Sequence, residues 1–399
     1  MRGQGAGLAP FAFRPYNRPA MRLWLYCLGG LLYDWLVYVA WTVIPIRAVA
    51  LEASSTQLGL LQTASTTVYT LSSLVMGRLA DRGSKSLLAR AGCAGAFLSC
   101  LAIGGTDTLA GLFLTVPLLG LSGSIFWPTV QGAIGSEAEP ARMEKAIGLF
   151  NVLWSVGKGL GFLMAGWMTG NLGPRHTLWS AAAAGLAIFL FYPWRDGRPA
   201  GPAEAKPAPG RAAFRTLGYV ANFFAFGVGS TLQIQFFKYL SQHNLGTILK
   251  DRETFFGAFL GVIFLAQTAT FMAMQRNSRW AYRRGPLYLS QALLAATAFL
   301  LTVARDDRLI LLLAPLAGIG LGFSYASSIY YSLHGASEHG KYSGIHEAVL
   351  GAGNIVFPFA GGILADATGD LRVPYWLAGG AVLAAMALEE AIYRRSSRS

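Results

Sequence analysis

Charge is what this chain is short of. Of its 399 residues only 13% are charged while 54% are hydrophobic, and the mean hydropathy is +0.44. A soluble domain carries about 25% charged residues, so this chain holds about half of what would clothe a surface in water. That shortage excludes a soluble enzyme and a disordered chain. Cysteine is scarce too. Cys27, Cys93 and Cys100 lie in hydrophobic runs without metal-ligand spacing and read as small packing residues. The five histidines (176, 243, 334, 339 and 346) form no compact ligand or nucleophile set. A Gly-rich phosphate loop followed by Lys-Ser or Lys-Thr is missing as well. No metal, cofactor or ATP-driven chemistry is therefore expected, and a membrane-embedded enzyme has no constellation to work with. Residues 1–20 have no apolar core, so no cleavable signal peptide is expected.

Long apolar runs are what the chain has in quantity. A helix crossing a bilayer takes about 20 residues, and twelve such runs can be read. Six lie near 22–46, 57–79, 88–105, 109–135, 144–169 and 177–194, and six more near 214–238, 254–274, 287–304, 309–334, 344–365 and 374–393. The fold class expected is an all-α polytopic membrane protein with twelve transmembrane helices. With the N-terminus in the cytoplasm, nearly three-quarters of the 32 Lys and Arg residues fall in cytoplasmic segments. That asymmetry is the positive-inside pattern and predicts a protein of the cell (inner or plasma) membrane with both termini cytoplasmic. Basic loops facing anionic lipid headgroups then account for the net charge of +13, and no nucleic-acid partner is expected.

The stretch Arg195 to Arg211, rich in Pro, Gly and Ala, reads as a flexible linker. It divides the chain into an N-tail (1–21), a first six-helix bundle (22–194), the linker (195–213), a second bundle (214–393) and a C-tail (394–399). The halves align with each other. A shift of 196 places Gly148, Gly157 and Gly166 on Gly344, Gly353 and Gly362; a shift of 200 places Gly120, Leu121, Ser124 and Gly135 on Gly320, Leu321, Ser324 and Gly335. The chain therefore reads as a duplicated six-helix unit, two pseudo-symmetric bundles in one orientation.

After the second run comes Gly77-Arg78-Leu79-Ala80-Asp81-Arg82-Gly83-Ser84-Lys85. It resembles the loop signature between helices two and three of the major facilitator superfamily, one residue short before the second glycine. The two-bundle architecture resembles that family over nearly the whole chain. The resemblance implies the major facilitator fold, a monomer, and alternating access by rocking of the halves. It also implies a cytoplasmic gate at Gly77, Arg78, Asp81 and Arg82; His346 and Glu347, toward the cytoplasmic ends of the tenth and eleventh runs, are assigned to it by position, with structural polar contacts as the other reading. Gly77 would permit close helix approach, and Asp81 would meet the positive N-terminal end of the eleventh helix. In the fifth run Gly148, Gly157, Gly161, Ala165 and Gly166 track a family pattern associated with drug–proton antiporters, with Phe162 where a proline should stand. The fourth-helix arginine of those antiporters is missing, since neither Arg nor Lys lies between Leu109 and Gly135. Small-residue packing accounts for the same spacing.

Ionisable groups inside a membrane cost about 2.5–3.5 kcal/mol each on insertion scales and need a reason. Asp34 lies midway along the first run and Lys158 midway along the fifth. They are expected to face each other as a charge pair across a central cavity and to couple transport to protons; a static packing pair is the other reading. Helical spacing adds neighbours on shared faces: Tyr38 and Trp41 with Asp34; Asn151 and Trp154 with Lys158; Gln131 in the fourth run. Their counterparts in the second half are Tyr331 and Asn354, with Asn222, Gln233 and Gln267 from the seventh and eighth runs. Trp127 completes the substrate set, suited to stacking on a ring or cradling a cation. The function expected is secondary transport of a small organic solute, proton-coupled, with membrane lipids as surroundings. The alternative is a lipid or lysolipid flippase, or a non-transporting sensor on the same fold.

Overall fold

The computed structural model describes residues 18–137, 143–196, 212–333 and 339–396. The two tails and the linker lie mostly outside the described residues. The first half holds α1 (Arg18–Ala50), α2 (Ser55–Arg82), α3 (Lys85–Gly105), α4 (Leu109–Glu137), α5 (Met143–Leu172) and α6 (Pro174–Phe191). The second holds α7 (Ala212–Gln242), α8 (Arg252–Arg276), α9 (Arg284–Val303), α10 (Asp307–Leu333), α11 (His339–Thr368) and α12 (Val373–Ser396). At 1.5 Å per residue even α6, with 18 residues, is about 27 Å long, close to the thickness of a hydrocarbon core. Nine of these helices are long and apolar enough to cross a membrane by length and composition. Of the other three, α2 and α7 carry polar stripes that face inward, described below.

Most helices overrun the apolar runs by a few residues, because capping lies outside the hydrophobic stretch. Ser54 caps α2, accepting from the Gln57 N–H while the Gln57 side chain accepts from the Ser54 N–H, and Asp251 caps α8 at the Thr254 N–H. α6 differs: it stops at Phe191, three residues before the apolar run does. Pro193 follows, and the residue before a proline is driven out of helical geometry.

The packing repeats itself between halves. α1 packs on α5, α2 on α4, α3 on α4 and on α6; their counterparts α7 on α11, α8 on α10, and α9 on α10 and α12 do the same. The halves meet along α5·α8 and α2·α11, which exchange with each other under the same correspondence. Close approach there rests on missing side chains. A Cβ on Gly166 would lie 2.7 Å from the Cα of Gly257, and a Cβ on Gly257 would lie 2.6 Å from that of Gly166. On the other seam, Gly362 packs directly on the Ser55 carbonyl.

The two ends of the bundle are built differently. One end, here the terminus end, carries the α2–α3 turn and both chain ends; the opposite, far end carries the α1–α2, α7–α8 and α11–α12 connections. The far end is stitched across the halves. Asp366 of α11 accepts from the N–H groups of Ser55 (2.9 Å) and Thr56 (2.7 Å), so its carboxylate sits on the positive end of α2. Gln235 donates to the Ser55 carbonyl at 2.8 Å, and the Lys238 ammonium to the Ala53 carbonyl at 2.8 Å. At the terminus end, Asp196 holds the α2–α3 turn to the end of α6, accepting from the Ser86 N–H at 2.9 Å and the Ser84 hydroxyl at 2.9 Å.

Candidate functional site

A cavity of about 200 Å³ lies between the halves. It is lined from α1, α2, α4 and α5 on one side and from α7, α8, α10 and α11 on the other, while α3, α6, α9 and α12 stay behind as scaffold. From α1 it takes Tyr33, Asp34, Tyr38 and Trp41; from α4, Trp127 and Gln131; from α5, Phe150, Trp154 and Lys158. The second half adds Phe226, Ser230 and Gln233 from α7, Phe264 and Gln267 from α8, Tyr325 from α10, and Glu347 and Asn354 from α11. Aromatic faces alternate with amides and hydroxyls, which keeps these polar groups out of lipid.

Three ionisable side chains converge on this space. Asp34 is 3% exposed and Lys158 6%, and each lies within the electrostatic reach of the other. They form no direct ion pair among the described residues. Instead the Lys158 ammonium sits between two rings, 4.1 Å from the centre of Tyr38 and 3.9 Å from that of Phe264. One ring belongs to each half, so the cation is held at the seam by cation–π attraction. Glu347 of α11 and Gln131 of α4 line the cavity from the two halves. The ring of Trp154 meets that of Tyr325 at 5.5 Å, from α5 to α10.

Some residues singled out in the sequence lie elsewhere. Asn151 is off the cavity and accepts from the Trp154 indole N–H at 3.1 Å, so it orients that ring. Asn222 shares a stripe with Phe226, but the Phe226–Tyr325 ring contact at 5.8 Å ends the cavity one turn before it. Tyr331 lies two turns past Tyr325, in a cluster with Phe214, Trp280 and Tyr282, and accepts from the Tyr282 N–H at 3.2 Å. His346 is wholly buried in the α10–α11 seam, its Nδ1 2.9 Å from the Ser328 hydroxyl, while Glu347 beside it faces the cavity. Arg78 and Arg82 are exposed at the end of α2, and nothing lies within 4 Å of where a Cβ on Gly77 would be. The Asp81 side chain lies outside the described residues.

The largest omission from the sequence reading is α2. Gln62, Ser65, Thr66 and Tyr69 all line the cavity, at spacings of three, four and seven residues that define one helical face. Thr63, Thr67 and Thr70 put further polar groups beside that face, so the stripe did not stand out from its background.

A twelve-helix bundle of two pseudo-symmetric halves, with a polar, charged cavity at their seam, is the design of a membrane transporter. The family model of the major facilitator superfamily matches residues 26–337. The chain belongs to that superfamily: it is an integral membrane transporter and not an enzyme. No curated protein sequence matches it. Among solved structures it is similar to an inward-facing, unoccupied bacterial homologue of the human lysosomal transporter Spinster (TM-score 0.71, 16% identity, covering 95% of this chain and 97% of that one). It is similar also to the nucleoside transporter NupG (0.67, 14%, 94% and 99%). A third is a POT family transporter in complex with 5-aminolevulinic acid (0.74, 10%, 94% and 96%). At these identities the likeness is one of fold.

Proposed function

We propose that this protein is a secondary active transporter of a small organic solute, driven by protons and working by alternating access around the Asp34–Lys158–Glu347 cavity. The observation that carries the reading is the convergence of three costly ionisable groups, drawn from both halves, on one cavity at the seam. Groups so placed feel any rocking of the halves, which is what coupling requires. Asp34 is the proton carrier in this reading. The groups around it are Lys158 from α5, Tyr38 on its own helix, Tyr69 from α2, Tyr325 from α10 and Glu347 from α11. Protonation would release Lys158 from the field of Asp34 and change the balance between inward and outward forms. At about 200 Å³ the cavity is below the 300–1,000 Å³ range of drug-sized sites, which favours a small solute over a lipid. The stitched far end supports an inward-facing arrangement, with the termini on the cytoplasmic side and the linker between bundles there too.

The test is uptake into proteoliposomes without a proton gradient and with one of either direction. Wild type should accumulate solute under only one direction of the gradient. Asp34→Asn should exchange solute across the membrane yet lose gradient-driven accumulation. An Asp34→Asn protein that still accumulates solute under the gradient as wild type does would sink the coupling. Movement of lysolipid alone would replace the solute reading by the flippase one.

A further inference from the structure

We infer that the solute is a small zwitterion, an amino-acid-like molecule whose carboxylate meets Lys158 and whose ammonium group meets Asp34. The inference rests on the transport reading and narrows it. Two opposite charges, each more than nine-tenths buried, open onto the same cavity without forming an ion pair. Among the described residues no oxygen accepts a hydrogen bond from the Lys158 ammonium; its neighbours are the faces of Tyr38 and Phe264. Those rings hold a cation in position but offer no acceptor for its N–H groups. Asp34 likewise has no hydrogen-bond donor among the described residues. A buried charged group without a hydrogen-bonding partner is costly, so both ends of this arrangement lack the same thing: a hydrogen-bonding group of opposite sign in the space between them.

The chemistry of the missing partner follows from charge balance. A lone anion at Lys158 leaves Asp34 unpartnered and lies in the field of Asp34 and Glu347. A lone cation at Asp34 leaves Lys158 unpartnered. A neutral sugar would engage the amides Gln62, Gln233 and Asn354 but neither charge. Only a molecule with both signs, short enough for the cavity of about 200 Å³, meets both groups at once.

The test is calorimetric titration of the purified full chain with matched sets: short α-, β- and γ-amino acids, each beside the carboxylic acid and the amine of the same carbon chain. At least one amino acid should bind about ten- to a hundredfold more tightly than both of its analogues, the factor for losing one hydrogen bond to a charged group. Lys158→Gln should reduce its affinity to that of the amine, and Asp34→Asn to that of the acid. Residual binding of the single-charge analogue reports that each variant is folded, and the wild-type comparison needs no variant. An acid, amine or neutral sugar that binds as tightly as any amino acid, and is carried into vesicles, overturns the zwitterion and leaves the transport reading intact. No binding or uptake of any water-soluble solute, with stabilisation by lysolipid alone, overturns both.

Discussion

At the scale of single residues, the ionisable groups were the easiest to find and the hardest to interpret. Asp34 and Lys158 stand out because a charge in an apolar run is expensive, and both line the cavity. Their spacing in sequence says nothing of whether they touch; the rings of Tyr38 and Phe264 decide that, and Phe264 comes from the other half. Neutral polar residues carry a smaller penalty, and Gln62 and Tyr69 merged with the serines and threonines of α2, while Asn151, a partner of Trp154, stood out in a more apolar run. Lys158→Met keeps the hydrophobic contact with the two rings and removes the charge, so it should leave the melting temperature within a few degrees of wild type and abolish uptake. A variant that transports normally would remove Lys158 from the mechanism. Outside the membrane, partial burial acts to raise the carboxyl of Asp196, but hydrogen bonds from the Ser86 N–H and the Ser84 and Ser86 hydroxyls outweigh it and hold it below the usual carboxylate range. A depressed carboxyl stabilises the fold above its unfolded value of about 3.9 and loses that contribution as pH falls through the folded one. The melting-temperature gap between wild type and Asp196→Asn should therefore be full at neutral pH and close in strong acid. A gap independent of pH would place the effect outside ionisation.

At the scale of helices, the twelve elements were legible because periodic apolar runs of this length have few other uses. Their ends were less so. Capping at Ser54 and Asp251 and the early stop of α6 before Pro193 follow from polar or proline chemistry that hydropathy does not register. The seams were half legible: the glycine repeats pointed to close packing, but not to which helix. Gly257→Val would drive its side chain into α5 at Gly166, an overpacking worth about 1–3 kcal/mol. A lowered melting temperature is expected, whereas Gly77→Val, with nothing near it, should change it little. Equal melting temperatures for the two would contradict the packing account. At the far end, Asp366→Ala removes the acceptor for two N–H groups of α2, a cap worth about 1 kcal/mol. The far end should open more often. A cysteine at Val37, on the cavity wall, should then react several-fold faster with an impermeant maleimide supplied from that side. An unchanged rate would mean the cap does not hold the closed form.

At the scale of the molecule, the duplication was readable from glycine and serine matches between halves, and the loop signature around Gly77–Lys85 pointed to the superfamily to which the chain belongs. The cavity was readable as faces rather than as a volume. Which stripes meet depends on the pairing of α5 with α8 and of α2 with α11, and that pairing is set by packing between halves rather than by any local pattern. In the transport cycle proposed above, the halves move about the Asp34–Lys158 site and protonation moves them. Spin-label distances test it most directly. Labels at Gly105 and Arg305 would report the far end, and labels at Leu87 and Gly285 the terminus end; all four positions are exposed or open to a side chain. The native cysteines are buried and would be replaced. Measured in lipid at about pH 7.5 and about pH 5.5, the two pairs should change in opposite senses. The far-end distance lengthens as the terminus-end distance shortens, and Asp34→Asn should abolish the pH dependence. Single, fixed distances at both ends and both pH values, with solute still transported, would contradict the account.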